Sequence, residues 1–200
     1  TIRDNALAIS GLLRSDYGGA SAKPYQPAGY YRHLNFPTRK YSHHTDERQW
    51  RRGVYIHWQR QFLHPMLKAF DAPSREECTA ERPKSNTPVA ALNLLNDPTF
   101  VEAARVFAER ILKESKSDNL ARLHHAFDLA LNRKPTTEER DAIGQLLTYA
   151  EADFKKNPNS ATALVKVGQT KPENLDAIAL ASWTTVSRAI LNLSETTTRN

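Results

Sequence analysis

The sequence predicts an all-α fold, a single irregular helical domain of about seven or eight helices with a long ordered loop near the N-terminus. Three observations predict it. Apolar residues recur every third or fourth position along most of the chain, the spacing of one helix face. A capping residue followed by Pro recurs at Thr87-Pro88 and Asp97-Pro98, a device that opens helices. No stretch alternates apolar and polar residues with the period of a strand.

Ile2, Ala6, Ile9 and Leu13 give a short amphipathic helix over residues 2–14, with Gly18-Gly19 ending its neighbourhood. Residues 15–45 turn to Pro, Tyr, Gly and His without a period. They predict a long ordered loop anchored by Tyr25, Tyr30, Tyr31, Leu34 and Phe36, and such loops are more often functional or interface-forming than ordinary connections. Thr45, with Asp46 and Glu47 in the first turn, opens a helix that carries Trp50, Val54, Trp58 and Phe62 as one core stripe and stops at Pro65. Ser74 and Glu77 match the S-x-x-E capping box and predict a short helix through Glu81. Thr87-Pro88 launches VAALNLLN, which is apolar on nearly every side and is therefore expected at the centre.

Asp97-Pro98 launches the next helix, with Phe100, Ala104, Phe107 and Ile111 inward. Asp118 caps a helix with Leu120, Leu123, Phe127 and Leu131 inside. Residues 135–139 open another, which runs to Lys156 with Ile143, Leu146, Leu147 and Phe154 and is stopped by Asn157-Pro158. A shorter piece with Leu164 and Val167 ends at Gly168. The last helix lies between Pro172 and Ser194 and carries Leu175, Ile178, Ala179, Trp183, Val186, Ile190 and Leu193. The chain thus reads as one domain over residues 1–200, with a loop at 15–45, an Arg/Asp-rich motif block at 46–98 and a helical scaffold at 99–200. No internal repeat of solenoid period is present.

The bulk numbers bound the function classes. With 200 residues, 40% apolar and 25% charged, the composition is that of a globular domain. A formal charge of +6 permits an anionic partner such as nucleic acid, glycan or acidic lipid, and is also what solubility alone would use. Cys78 is the only cysteine, so an internal disulfide and a cysteine-rich zinc site are excluded. No C-x-x-C-H is present, so covalent c-type haem in this chain is excluded too. No apolar run approaches the ~20 residues of a membrane span. The opening TIRDNALAISGLL has the character of mid-protein sequence.

The candidate site residues crowd into the motif block. Arg51, Arg52, Arg60, Arg75 and Arg82 could hold a phosphate, sulfate or carboxylate group, or could serve structural ion pairs, which we favour because both charge signs are dense there. Asp71 and Glu76, with Asp97 further on, are the catalytic candidates if the chain is an enzyme. Capping and ion pairing explain them more simply. Tyr25, Tyr30 and Tyr31 could stack on sugar rings, whereas the helical spacing of Trp50 and Trp58 assigns those two to the core. Cys78 reads as a buried, inert thiol. His43-His44 and His124-His125 are adjacent pairs whose side chains point apart on a helix, so no metal site is read. No cofactor-binding motif, Gly-rich phosphate loop or G-x-S-x-G elbow occurs.

Taken together, SGLL followed by GG, KPYQPAGYY, RRGVYIHWQR, AFDAPSREEC, NTPVAALNLLNDP, LNRKPTTEE and SWTTVSRAILNLSE resemble the planctomycete-specific domain of unknown function 1553. The resemblance implies a C-terminal module of large exported proteins that carry a cytochrome c-like domain near the front. Haem would then belong to a separate domain of the parent protein, and localisation would be extracytoplasmic. No activity of the family is transferred. The pattern residues include Arg51, Arg52, Trp58, Arg60, Asp71, Arg75, Cys78, Arg82, Asn86, Thr87, Asn96 and Asp97. The family more often has Leu-Gln where this chain has Val89-Ala90, and its domain begins further upstream.

The functional expectation is a non-catalytic helical module that packs against other domains of the parent or binds a ligand, with anionic polysaccharide as a candidate partner. The alternative is an enzyme acting on an anionic or complex glycan through Asp71 and Glu76, with arginines holding the anion. A second alternative, nucleic-acid binding through a basic face, fits poorly with export. An enzyme requires the carboxylates and arginines to converge on an open cleft, and a scaffold requires them to be taken up in structural contacts.

Overall fold

The computed structural model describes residues 1–33, 38–59, 62–73, 75–81, 87–115 and 118–198, without the side chain of His33. The fold is all-α. The described residues hold nine α-helices, seven of them at least seven residues long, and isolated bridges but no strand. The chain divides into two compact units, one of residues 1–13 and 94–200, the other of residues 14–93.

The first unit is built on α4 (Pro98–Glu114) and α8 (Ala177–Leu191), which pack against each other. Phe100, Ala104, Phe107 and Ile111 are buried on α4 as their spacing predicts. On α8, Leu180, Trp183, Val186 and Ile190 are buried, and Ser182 and Thr184 satisfy their hydroxyls on carbonyls one turn back. The other helices of the unit are α1 (Ile2–Ser10), α5 (Asn119–Leu131), α6 (Thr137–Lys156), α7 (Pro158–Val165) and α9 (Ser194–Thr197). Of these, α1 packs on α4, and α6 and α7 pack on α8.

The helix starts are chemical. Asp118 accepts from the Ala121 N–H at 2.8 Å, and Thr136 forms a full capping box with Glu139. Arg133 grips Glu139 at 2.7 Å and Glu195 at 2.7 Å, joining the start of α6 to α9. The hydrogen bonds from Arg133, followed by that from the Thr136 N–H, hold the Glu139 carboxyl down at about 2.

Asp97 caps α4, accepting from the Thr99 N–H at 2.8 Å, but burial pushes its carboxyl up while that N–H pulls it down. A raised folded value means the ionised form costs stability at neutral pH. Asp97→Asn keeps the acceptor without the charge and is expected to match or exceed the parent at pH 7. Asp97→Ala is expected to lose about 1 kcal/mol. Urea midpoints of the two variants check this.

The second unit holds the loop, the first part of the motif block, α2 (Pro65–Ala69) and most of α3 (Pro88–Asn96). Several expectations are overturned here. The helix with the Trp50–Val54–Trp58–Phe62 stripe does not form; two 3-10 turns, Glu47–Trp50 and Gly53–Tyr55, take its place. The carbonyls that a helix would give to the fourth residue onward are used elsewhere. The Trp50 carbonyl accepts from the Arg14 N–H at 3.0 Å, and the Tyr55 carbonyl accepts from the Ala22 N–H at 2.7 Å. Val54 is consequently 76% exposed.

Residues 75–77 form a bend and not a helix, and the capping residue Ser74 lies outside the described residues. Helix α3 starts at Pro88 behind the cap Thr87, as predicted: the Ala90 N–H donates to the Thr87 hydroxyl at 3.2 Å. It is not central: it has no buried residue, and Val89 and Leu92 are 57% and 56% exposed. An apolar pattern shows that a helix can be buried, not that a partner is there. In the first unit the central helices are α4 and α8.

Candidate functional site

In the motif block the described arginines have distinct tasks. Arg51 is 6% exposed. Its guanidinium donates to the carbonyls of Ala20 (2.6 Å), Asp16 (3.3 Å) and Gly18, and lies 4.2 Å from the Tyr55 ring centroid. The loop can turn round this cation because Gly18 and Gly19 have positive φ, 73° and 79°. The Tyr55 hydroxyl in turn accepts from the Gly18 N–H at 3.1 Å. The sequence expectation names carboxylates as partners of Arg51; the partners described for it are backbone carbonyls of the loop and the Tyr55 ring. Arg52 is exposed. Arg75 has φ 64° and places its guanidinium 4.0 Å from the Trp58 ring centroid, a cation–π contact. Arg60, Arg82 and Asn86 lie outside the described residues.

The carboxylates differ. Asp71 is half-buried with φ 53°, just past α2, where its N–H donates to the Lys68 carbonyl at 3.3 Å. Glu76 is exposed in the bend at 75–77. Cys78 is exposed too, correcting the buried-thiol reading: its segment, residues 75–81, has no helix to tuck it away.

The loop tyrosines pack on one another. Tyr31 is 9% exposed and meets the rings of Tyr41 and Phe62 edge-on at 5.3 and 5.5 Å. The Tyr30 ring lies 4.7 Å from Phe62, and its hydroxyl donates to the Leu63 carbonyl at 3.1 Å. Burial pushes both phenols up. The Tyr25 ring lies 5.3 Å from His43, and its carbonyl pairs with His64 Nε2 at 2.8 Å. His64 Nδ1 accepts from the Met66 N–H at 3.2 Å and so caps α2.

His44 Nδ1 accepts from the Lys23 N–H at 3.0 Å, which requires the neutral ring. Burial, followed by the charge of Arg48, pushes its value down, and burial does the same for His57. Folding therefore favours both neutral rings. Their contribution is complete above the ordinary value of 6.5 and is lost as pH falls through the lowered folded values. Amide protection of Lys23 and His57, corrected for intrinsic exchange, is expected to fall between pH 7.5 and pH 5.

Sequence reasoning missed a fully buried charge network in the first unit. Glu102 and Arg105 are both 0% exposed. One Glu102 oxygen accepts from the N–H groups of Gln169 (2.7 Å) and Thr170 (2.8 Å) and from the Thr170 hydroxyl (3.0 Å). Arg105 pairs with Glu109 and donates to the Thr170 carbonyl at 2.9 Å. Gly168 (φ 106°) lets this turn approach: a Cβ there would come within 2.4 Å of Glu102 Cδ. The available signal was the spacing of Glu102, Arg105 and Glu109, which places all three near one side of α4.

No helix of the described residues is long and apolar enough to cross a membrane. No curated protein and no solved structure matches the chain. A family model described as "PSD1: Protein of unknown function (DUF1553)" matches residues 1–147, from α1 into α6 and through the whole motif block. That span covers most of the chain, which therefore belongs to the PSD1 family of proteins of unknown function, DUF1553.

Proposed function

We propose that this chain is a non-catalytic helical module that packs against neighbouring domains of a larger exported protein. The observation that carries the reading is Arg51: the leading anion-binding candidate is buried and engaged with the carbonyls of Asp16, Gly18 and Ala20. Arg75, on the Trp58 ring, and Tyr31, within the aromatic cluster, support the same reading. Val54, Val89 and Leu92 leave apolar side chains at the surface, as packing against another domain would use. Export and the multidomain parent rest on the family resemblance.

The test is a binding screen of the full chain against sulfated and carboxylated polysaccharides, with Arg52→Ala as the variant, because Arg52 is exposed and its loss leaves the Arg51 contacts in place. Flat binding for both proteins is expected. Saturable binding by the parent that Arg52→Ala abolishes without loss of helicity would overturn the reading in favour of a glycan-binding site.

A further inference from the structure

We infer that the first unit carries a binding site for a small amphiphilic carboxylate, an apolar ring seated against Trp183 with its acid group at Arg140. The site is a cavity of about 220 Å³ formed by residues of α5, α6 and α8. Its inner wall is Trp183, Leu123 and Leu147, all buried. At its mouth Leu120, 47% exposed, presents a large apolar side chain to solvent. A dry apolar cavity of about 150 Å³ suffices to hold benzene. The volume here accommodates a larger ring system such as indole.

Two residues of α6 turn this hollow into a site with a preferred occupant. Gly144 lies within the helix, and nothing stands within 4 Å of where its Cβ would be. No close approach therefore requires glycine, although a mid-helix glycine costs helix stability. What the missing side chain provides is the open volume at the mouth. Arg140 also lines the mouth, half-buried, and among the described residues its side chain makes no ion pair or hydrogen bond. Its guanidinium is available to grip a carboxylate with two parallel bonds. Asp141 lines the same mouth, but adjacent helix residues point apart, so a ligand acid can meet Arg140 first.

The site contains no residue of the motif block and is separate from the packing role. Its test is calorimetric titration of the full chain with indole-3-acetate and with neutral indole, together with the NMR signal of the Trp183 indole N–H. Indole-3-acetate is expected to bind and to shift that signal, with indole about tenfold weaker. Arg140→Gln should remove the tenfold advantage and leave indole binding intact. Gly144→Leu should abolish both while circular dichroism stays helical, and Asp141→Asn should leave acid binding unchanged or tighter. Absence of binding by the parent, equal affinity for the two probes, binding that survives Gly144→Leu, or weaker acid binding in Asp141→Asn would each overturn it.

Discussion

Replacing Arg105 by Met is expected to destabilise the first unit by about 3–5 kcal/mol, the largest effect of any single charge removal proposed for this chain. Arg105 is fully buried, and the Glu109 it pairs with is 7% exposed. Removing the cation leaves a carboxylate in the interior with only the Glu173 N–H, at 3.3 Å, among the other contacts described for it. It also removes donors from the Thr170 carbonyl and hydroxyl, which anchor the turn after α7. The double variant Arg105→Met/Glu109→Leu is expected to recover most of the loss, because an apolar pair of similar volume avoids the desolvation of both charges. A double-mutant cycle from urea unfolding measures the coupling. Equal losses in the single and double variants would show that packing volume, and not the charge pair, sets the cost.

Arg51→Ala is expected to cost about 3 kcal/mol in the second unit, because several loop carbonyls lose a charged donor. Arg51→Lys is expected to recover little. An ammonium is a point donor on a flexible stem, whereas the planar guanidinium reaches the carbonyls of Asp16, Gly18 and Ala20 together and stacks on Tyr55. Arg52→Ala, one residue away and exposed, is expected to change stability by less than about 0.5 kcal/mol. Adjacent arginines with the same sequence signature are thus separated by their surroundings. The measurement is the unfolding midpoint followed by Trp fluorescence, to which Trp50 and Trp58 of this unit contribute.

These contrasts show what was legible in the chain. The caps at Asp97, Asp118 and Thr136 could be read because each is a side chain meeting a backbone N–H two or three residues on. The cores of α4 and α8 could be read because their apolar spacing matches the helical period. The stripe from Trp50 to Phe62 has the same spacing, and its described residues form no α-helix. Spacing does not reveal that the Trp50 and Tyr55 carbonyls accept from Arg14 and Ala22, far back in the chain. Helix α3 is as apolar as any segment and yet stays at the surface. The spacing of Glu102 and Arg105 along the helix does not reveal their shared partner Thr170, which lies 68 and 65 positions away. The Arg140 mouth was equally hidden. Its floor residue, Trp183, comes from a helix more than forty positions on, and the empty space beside Gly144 has no sequence signature.

Arg51 holds the loop by donating to the carbonyls of Asp16, Gly18 and Ala20 and by stacking on Tyr55. Native-state hydrogen exchange on Arg51→Lys tests it most directly. The amides of Ala22 and His57 donate to the Tyr55 and Ala22 carbonyls at 2.7 Å, across the contact that Arg51 braces from the loop side. Both are expected to lose at least about tenfold in protection in Arg51→Lys, the equivalent of one charged hydrogen bond, and to keep it in Arg52→Ala. Unchanged protection of Ala22 and His57 in Arg51→Lys would contradict it.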